Sequence, residues 1–243
     1  MKTYRDEAIV LRSYDIGEAD RVITLLTRQY GKVRGVAKGV RKTKSRFGGR
    51  LEPFSMVDVQ LYRGKTLDTI TQVEILNQYG RTIVRSYDAY TAASAIVELA
   101  DRLHPEESEA DAEQFALLHG ALHAIATDAH APELVLNSYM LRAMAFAGWA
   151  LSVFECARCG ENGPHHALSI HVGGAVCENC RPPGATIPTV ETWQLLGALL
   201  AGDWTIADVS LPPARKASGA IIAAYVQWHL ERQVKSLRLI RPE

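Results

Sequence analysis

Met56-Val-Asp-Val-Gln-Leu-Tyr-Arg-Gly-Lys-Thr-Leu-Asp-Thr-Ile-Thr-Gln-Val-Glu-Ile75 decides the fold of the first third of this chain. Val57, Val59 and Leu61 alternate with Met56, Asp58, Gln60 and Tyr62, the period of two that a half-buried strand requires. Arg63-Gly64-Lys65 reads as a hairpin turn. Leu67 to Ile75 is the returning strand, with Ile70, Val73 and Ile75 set among Thr, Gln and Asp. Upstream, Ala8-Ile9-Val10-Leu11 and Val22-Ile23-Thr24-Leu25-Leu26 are two more short β-branched or apolar runs, separated by the turn-like segment Asp15 to Asp20. Tyr30-Gly31 then leads into a Gly-interrupted basic strand from Lys32 to Val40. Residues 1–79 therefore hold about five strands and no long helical pattern. A Greek-key barrel of the OB type fits that count, and so does an SH3-like barrel.

The stretch from Arg28 to Arg50 reads RQYGKVRGVAKGVRKTKSRFGGR. It carries nine cations (Arg28, Lys32, Arg34, Lys38, Arg41, Lys42, Lys44, Arg46, Arg50) and no Asp or Glu. Positive charge at this density repels itself unless a polyanion is near, and nucleic acid releases condensed counterions when Lys and Arg replace them. The five glycines let backbone N–H groups approach phosphates closely. Tyr30, Phe47 and Tyr62 are candidate platforms for unpaired bases.

From about Arg81 the period becomes helical. Ala92, Ile96, Leu99 and Leu103 share one face, and Phe115, Leu118, Leu122 and Ile125 share another. Ser108-x-x-Asp111 resembles a capping box opening the second of these helices. Pro132 suits the first turn of a third, and from Leu134 to Ala150 only Arg142 is charged, as in a helix with apolar contacts all round. Thr189 to Leu200 and Ala214 to Val234 are two more, with Ile221, Tyr225 and Trp228 on one side of the last. The sequence thus predicts an α+β chain: a five-stranded barrel over 1–79, then a helical domain over 80–243 with an inserted four-cysteine module at about 154–182.

That module is Cys156-Ala-Arg-Cys159, 17 residues, then Cys177-Glu-Asn-Cys180. Two CxxC turns can close a tetrahedral site, so Cys156, Cys159, Cys177 and Cys180 are predicted to bind one structural Zn²⁺ with no open position for substrate. His165, His166 and His171 lie in the intervening loop, and four thiolates make them unnecessary as ligands. The loop has four glycines and few large apolar residues, so the metal is expected to supply much of its stability.

Net charge is zero but uneven. Residues 1–80 carry 15 Lys/Arg against 9 Asp/Glu, and residues 81–243 carry 12 against 18. A basic part joined to an acidic part suggests two electrostatic roles. The amino terminus has no apolar signal-peptide region and no run approaches the length of a membrane span, so a cytoplasmic protein is expected. In that reducing compartment, paired cysteines suit a metal better than disulfides. No GxxxxGK[ST], GxSxG or HExxH occurs. Two rivals stand beside a non-enzymatic DNA binder: a metal-dependent nuclease using Asp6, Glu7, Asp15, Glu18 and Asp20, and a zinc-ribbon transcription regulator.

Glu7-Ala-Ile-Val-Leu-Arg12, Gly17-Glu-Ala-Asp-Arg21, Leu25-Leu-Thr27, Gly31-Lys-Val-Arg34 and Ala37-Lys-Gly39 occur in that order. Lys44-Ser-Arg-Phe-Gly48, Leu51-Glu-Pro-Phe54 and Leu61-Tyr-Arg-Gly64 follow. With these motifs the chain resembles the bacterial RecO family of recombination mediators, densely over residues 5–76 and more loosely beyond. The resemblance implies an OB-fold domain followed by a helical one. It implies binding of single- and double-stranded DNA and annealing of complementary strands. It implies partnership with RecR, with the acidic tail of single-strand-binding protein, and indirectly with RecA, at the nucleoid. A site for that acidic, aromatic-ended tail needs local cations beside an apolar groove. Arg142, Arg215, Lys216, Arg232 and Lys235 are the candidates.

Overall fold

The computed structural model describes residues 2–105 and 109–230. Five strands come first: β1 (Thr3–Ile16), β2 (Asp20–Thr27), β3 (Gly31–Ala37), β4 (Ser55–Tyr62) and β5 (Asp68–Gln78). They close into a barrel in the order β1-β2-β3-β5-β4, with β1 also paired to β4. All pairings are antiparallel except β3 with β5, where Gly35 faces Asp68 and Val36 faces Thr69. This order, with its single parallel seam, is the five-stranded Greek key of the OB type and settles the choice against an SH3-like barrel. A glycine is needed at that seam. A Cβ on Gly35 would lie 2.8 Å from Ile70 Cγ1 and 3.2 Å from Leu61 Cδ2.

The strand patterns report what covers each face. Val57, Val59 and Leu61 on β4 point into the barrel core with Ile70 and Val73, while Asp58 and Gln60 between them stay partly exposed. β1 and β2 do not alternate, because both of their faces are buried. Ala8, Val10, Ile23 and Leu25 fill the barrel; Ile9 and its cross-strand partner Leu26 are buried on the other side. Helix α2, which follows the short α1 (Gly80–Ile83), spans Tyr87–Leu103 and lies against β1.

The predicted basic strand ends at Ala37, three residues early, where Lys38 opens the connection to β4. Helix α3 (Ala112–Ala126) buries Phe115, Leu118, Leu122 and Ile125 as predicted. Its cap differs from the expectation. Asp111 is itself the N-cap, accepting from the Glu113 and Gln114 N–H groups, and Ser108 lies outside the described residues. A carboxylate one turn earlier than a capping box would place it meets the first free donors directly.

Strand gives way to helix at Gln78/Gly80, whereas the compact units divide at Thr127/Asp128. In the second unit α4 spans Pro132–Phe146 with Pro132 at its start, and every residue from Leu134 to Leu141 is buried. It packs with α5 (Val190–Ala201) and α7 (Pro212–His229); the short α6 is Trp204–Ala207. Ser138 Oγ donates to the Leu199 carbonyl at 2.8 Å and ties α4 to α5. On α7 the buried stripe is Ala214, Ser218, Ile222, Tyr225 and Val226. Trp228, expected on the core face, is 55% exposed and presents its ring to His171 instead. Between α4 and α5 the chain forms the hairpin β6 (Ala167–Ser169) and β7 (Gly174–Val176).

Candidate nucleic-acid interface and candidate metal centre

The β3–β4 connection carries Lys38, Arg41, Lys42, Lys44, Arg46 and Arg50, all exposed. Three apolar residues in the same segment hold it. Val40, Phe47 and Leu51 enter the barrel core beside Ala37, Val57 and Ile70. Phe47 is 1% exposed, so it does not stack bases; an aromatic that plugs the barrel end buries far more apolar area than one on the rim. Its partners in the expectation, Tyr30 and Tyr62, are 39% and 42% exposed, and Tyr30 stands against Tyr4 with ring centroids 4.6 Å apart.

Polar contacts complete the anchoring. Gly39, at φ +69°, adopts the left-handed turn that glycine tolerates best and donates its N–H to Asp20 Oδ1 at 2.7 Å. The Arg41 N–H reaches the Ala19 carbonyl at 3.0 Å. The Arg41 guanidinium reaches Asp15 at 3.3 Å and the Glu18 carbonyl at 3.2 Å. Arg21 bridges Asp15 and Glu52. Asp6 is buried and accepts the N–H of Glu7 and of Gln29; burial is the main influence that raises its pKa. Of the carboxylates considered as a nuclease cluster, Asp6, Glu7, Asp15 and Asp20 thus anchor backbone and cations, Glu18 contributes its backbone carbonyl, and the five form no metal-ligand group among the described residues.

The nine predicted DNA-contacting cations fall into different environments. The side chains of Lys38, Lys42 and Lys44 make no hydrogen bond or ion pair among the described residues. Arg46 lies over the Phe47 ring at 4.8 Å and Arg50 donates to the Arg46 carbonyl at 2.6 Å. Arg28 pairs with Glu7 at 2.9 Å. Arg34 donates to the Tyr14 hydroxyl. Lys32 is withdrawn from the surface. Its side chain is 8% exposed, and Nζ donates to the Asp101 carbonyl at 2.7 Å and carboxylate at 3.1 Å on α2. Arg12 takes the other oxygen of Asp101 at 2.8 Å. Lys32 is therefore a tie between barrel and helix.

The four cysteines converge. All four Sγ atoms lie within 4.8 Å of one another, and among the described residues they are the one such group of potential metal ligands. Cys159 and Cys177 are 3.8 Å apart, matching the edge of about 3.8 Å that zinc–sulfur bonds of about 2.3 Å set in a tetrahedron. Each CxxC is a tight turn, closed by Gly160 N–H to Cys156 O at 2.8 Å and by Cys180 N–H to Cys177 O at 3.1 Å. Bridges from Ser152 to Gly174 and from Leu168 to Thr186 frame the module. Its interior is Cys156, Ala167, Val176 and Cys177, with Val172, Cys180 and Ala185 packed against it, so sulfur is a large share of what is buried. The Cys177 N–H, outweighing burial and helped by those of Cys159 and Arg158, pulls the Cys156 thiol down to about 6. The Glu161 side chain and then burial push Cys177 up to about 12. A divalent cation in their midst favours all four as thiolates. The donor set fits Zn²⁺. His165 donates to the Glu161 carbonyl and His171 meets Trp228, so neither competes for the site.

The predicted partner cations are also engaged. Arg215 binds Glu133 at 3.2 Å, Ser210 at 3.0 Å and the Asp208 carbonyl at 2.9 Å. Arg142 approaches Gly202, where an added Cβ would meet its Nη1 at 3.1 Å. Lys216 follows Arg215 on α7, and Arg232 and Lys235 lie outside the described residues. Sequence reasoning missed the apolar plug, whose signal was Val40, Phe47 and Leu51 recurring within a segment otherwise rich in charge and glycine.

Two family models together span nearly the whole chain. The model for Recombination protein O N terminal matches residues 1–79 and that for Recombination protein O C terminal matches residues 84–238. The chain is 51% identical over 240 residues to a DNA repair protein RecO of Thermobifida fusca, covering 99% of both chains. It is 52% identical over 240 residues to a DNA repair protein RecO of a Nocardioides species, covering 98% of both. Strand order, a helical second part and clustered cysteines accord with the motifs quoted from the sequence, and the chain belongs to the RecO family.

Proposed function

We propose that this chain is a non-enzymatic DNA-binding recombination mediator in DNA repair. The observation that carries the reading is the β3–β4 connection: six exposed cations, a single carboxylate, Glu52, which pairs with Arg21, and an apolar plug that fixes the segment on the barrel. Fixed cations on an ordered loop bind phosphates without reading bases, so single- and double-stranded DNA both suit it. Annealing needs no catalytic acid or base; it needs two like-charged strands held together, and clustered cations lower that repulsion. Residues 1–79 form the DNA-binding domain in this reading, and residues 80–243 carry the partner sites. With RecR, the protein helps load RecA on single strands coated by single-strand-binding protein. The acidic, aromatic-ended tail of that protein suits Arg215, which reaches Ser210 and the Asp208 carbonyl on either side of exposed Val209 and beside exposed Leu211, with Lys216 following on α7; this supports capture there. One Zn²⁺ held by Cys156, Cys159, Cys177 and Cys180 is structural and orders the module. The protein works in the cytoplasm, at the nucleoid; no helix among the described residues is long and apolar enough to cross a membrane.

The test is annealing of complementary oligonucleotides, bare and coated with single-strand-binding protein, by wild type and by Lys38→Glu/Lys42→Glu/Lys44→Glu. Wild type should anneal both and leave strand length unchanged in Mg²⁺, and the triple variant should lose annealing. Equal annealing by the variant overturns the interface, and strand cleavage in Mg²⁺ overturns the non-enzymatic reading.

A further inference from the structure

The four thiols are unequal in exposure. Cys156 and Cys177 are buried, Cys180 is intermediate, and Cys159 alone is exposed. Cys159 also has a near neighbour across the cluster, Cys177, at 3.8 Å between sulfurs. That pair joins the two CxxC turns, so linking it removes one donor from each. The module has little else to hold it, because two of the four residues at its buried centre are the cysteines themselves. Its rim rests on two helices of its own unit. Phe154 lies against Gly197 of α5, where an added Cβ would be 3.2 Å from the ring, and His171 meets Trp228 of α7 edge-on at 4.2 Å between centroids.

We propose that Cys159 is a peroxide-reactive residue, and that its oxidation to a disulfide with Cys177 discharges the metal and frees the α5 and α7 surfaces the module covers. The proposal rests on the zinc reading above. The Cys159 thiolate attacks one oxygen of hydrogen peroxide, the O–O bond breaks, and with one proton the products are the Cys159 sulfenic acid and water. The Cys177 thiolate then attacks the Cys159 sulfur; the S–O bond breaks, the hydroxide takes a proton, and a second water leaves. Sulfur is oxidised by two electrons in total and peroxide is reduced to two waters. With two of four donors gone, the site no longer holds the ion. Exposure selects the first residue attacked, which is why Cys159 and not the buried pair begins the sequence.

Full-length protein is assayed for zinc, treated with hydrogen peroxide, and followed by a chromophoric zinc chelator, thiol titration, tryptophan emission and peptide mapping. One zinc per chain should be released as the first two thiols disappear, with a Cys159–Cys177 peptide pair and a red shift from Trp228. Dithiothreitol with added zinc should reverse all four readings. Cys159→Ser should keep its zinc under the same peroxide. Should that variant bind no zinc, iodoacetamide labelling of the wild-type holoprotein decides, and Cys159 should be alkylated first. A chain without zinc before peroxide overturns the metal reading and the proposal with it. A zinc-loaded chain that keeps its metal, pairs other cysteines first, or is alkylated first elsewhere overturns the proposal alone.

Discussion

The basic connection of the barrel and the four-cysteine module meet one problem in two ways. Both are glycine-interrupted segments with too few apolar residues to form a core of their own. The connection borrows a core. Val40, Phe47 and Leu51 enter an interior already built by Ala8, Val10, Ile23, Leu25, Val57, Val59, Leu61 and Ile70. The module cannot borrow at that scale, and its centre is made from its own sulfurs with Ala167 and Val176. Burial of aromatic and aliphatic side chains holds the connection, while the ammonium groups of Lys38, Lys42 and Lys44 make no hydrogen bond or ion pair among the described residues. Ligation uses up the polar groups it depends on. The connection is therefore suited to present charge, and the module to hold a shape.

The comparison breaks most visibly on metal removal. Structural zinc contributes an apparent binding free energy of about 10–16 kcal/mol in zinc-finger peptides, and that energy is folding energy. Chelation of the full-length protein should abolish amide protection across residues 152–186 and leave that of β1 to β5 unchanged, as read by hydrogen exchange. Protection that persists in the module after its metal is gone would mean that its small core suffices. The converse lesion is Phe47→Ala. Emptying a fully buried aromatic site costs about 3–5 kcal/mol, and the urea midpoint of the barrel should fall accordingly while zinc content stays at one per chain. A loss below about 1 kcal/mol would show that Phe47 is not the plug.

How much of this was readable without coordinates follows the range of the interactions. The convergence of Cys156, Cys159, Cys177 and Cys180 was legible, because each CxxC is a local turn and the doubled spacing suits one tetrahedral site. The β4–β5 hairpin was legible because one face meets solvent, and alternation records that. The β1 and β2 runs were legible as strands, but the unbroken hydrophobicity of β1 recorded a cover, α2, that begins only at Tyr87. Phe47 among cations read as a surface platform, since nothing local distinguishes a base-stacking aromatic from a plug. On α7, Trp228 fell one step outside the buried stripe because Ile222, not Ile221, faces α4 and α5. Lys32 and Lys42 are alike in sequence context and opposite in environment. The difference is Asp101, 69 residues from Lys32.

That last pair gives the smallest and most discriminating test. Lys32→Ala removes a shielded ammonium from Asp101, while Arg12 remains on the carboxylate's other oxygen. The loss of hydrogen bonds to a charged group is worth about 1.5–3 kcal/mol, so the barrel unit should be measurably less stable. Its DNA affinity at fixed folded fraction, and the slope of log K against log salt, should not change. Lys38→Ala/Lys42→Ala/Lys44→Ala should do the opposite. Exposed lysines without partners leave stability within about 0.5 kcal/mol. The salt slope on duplex should flatten by about 0.9 for each phosphate contact removed, alike on every sequence tried. Stability and salt slope moving together in either variant would erase the distinction between a cation spent on the fold and a cation left for a polyanion. If they move apart as described, the division of labour within one basic stretch is set by which cations α2 neutralises and which the plug holds outward.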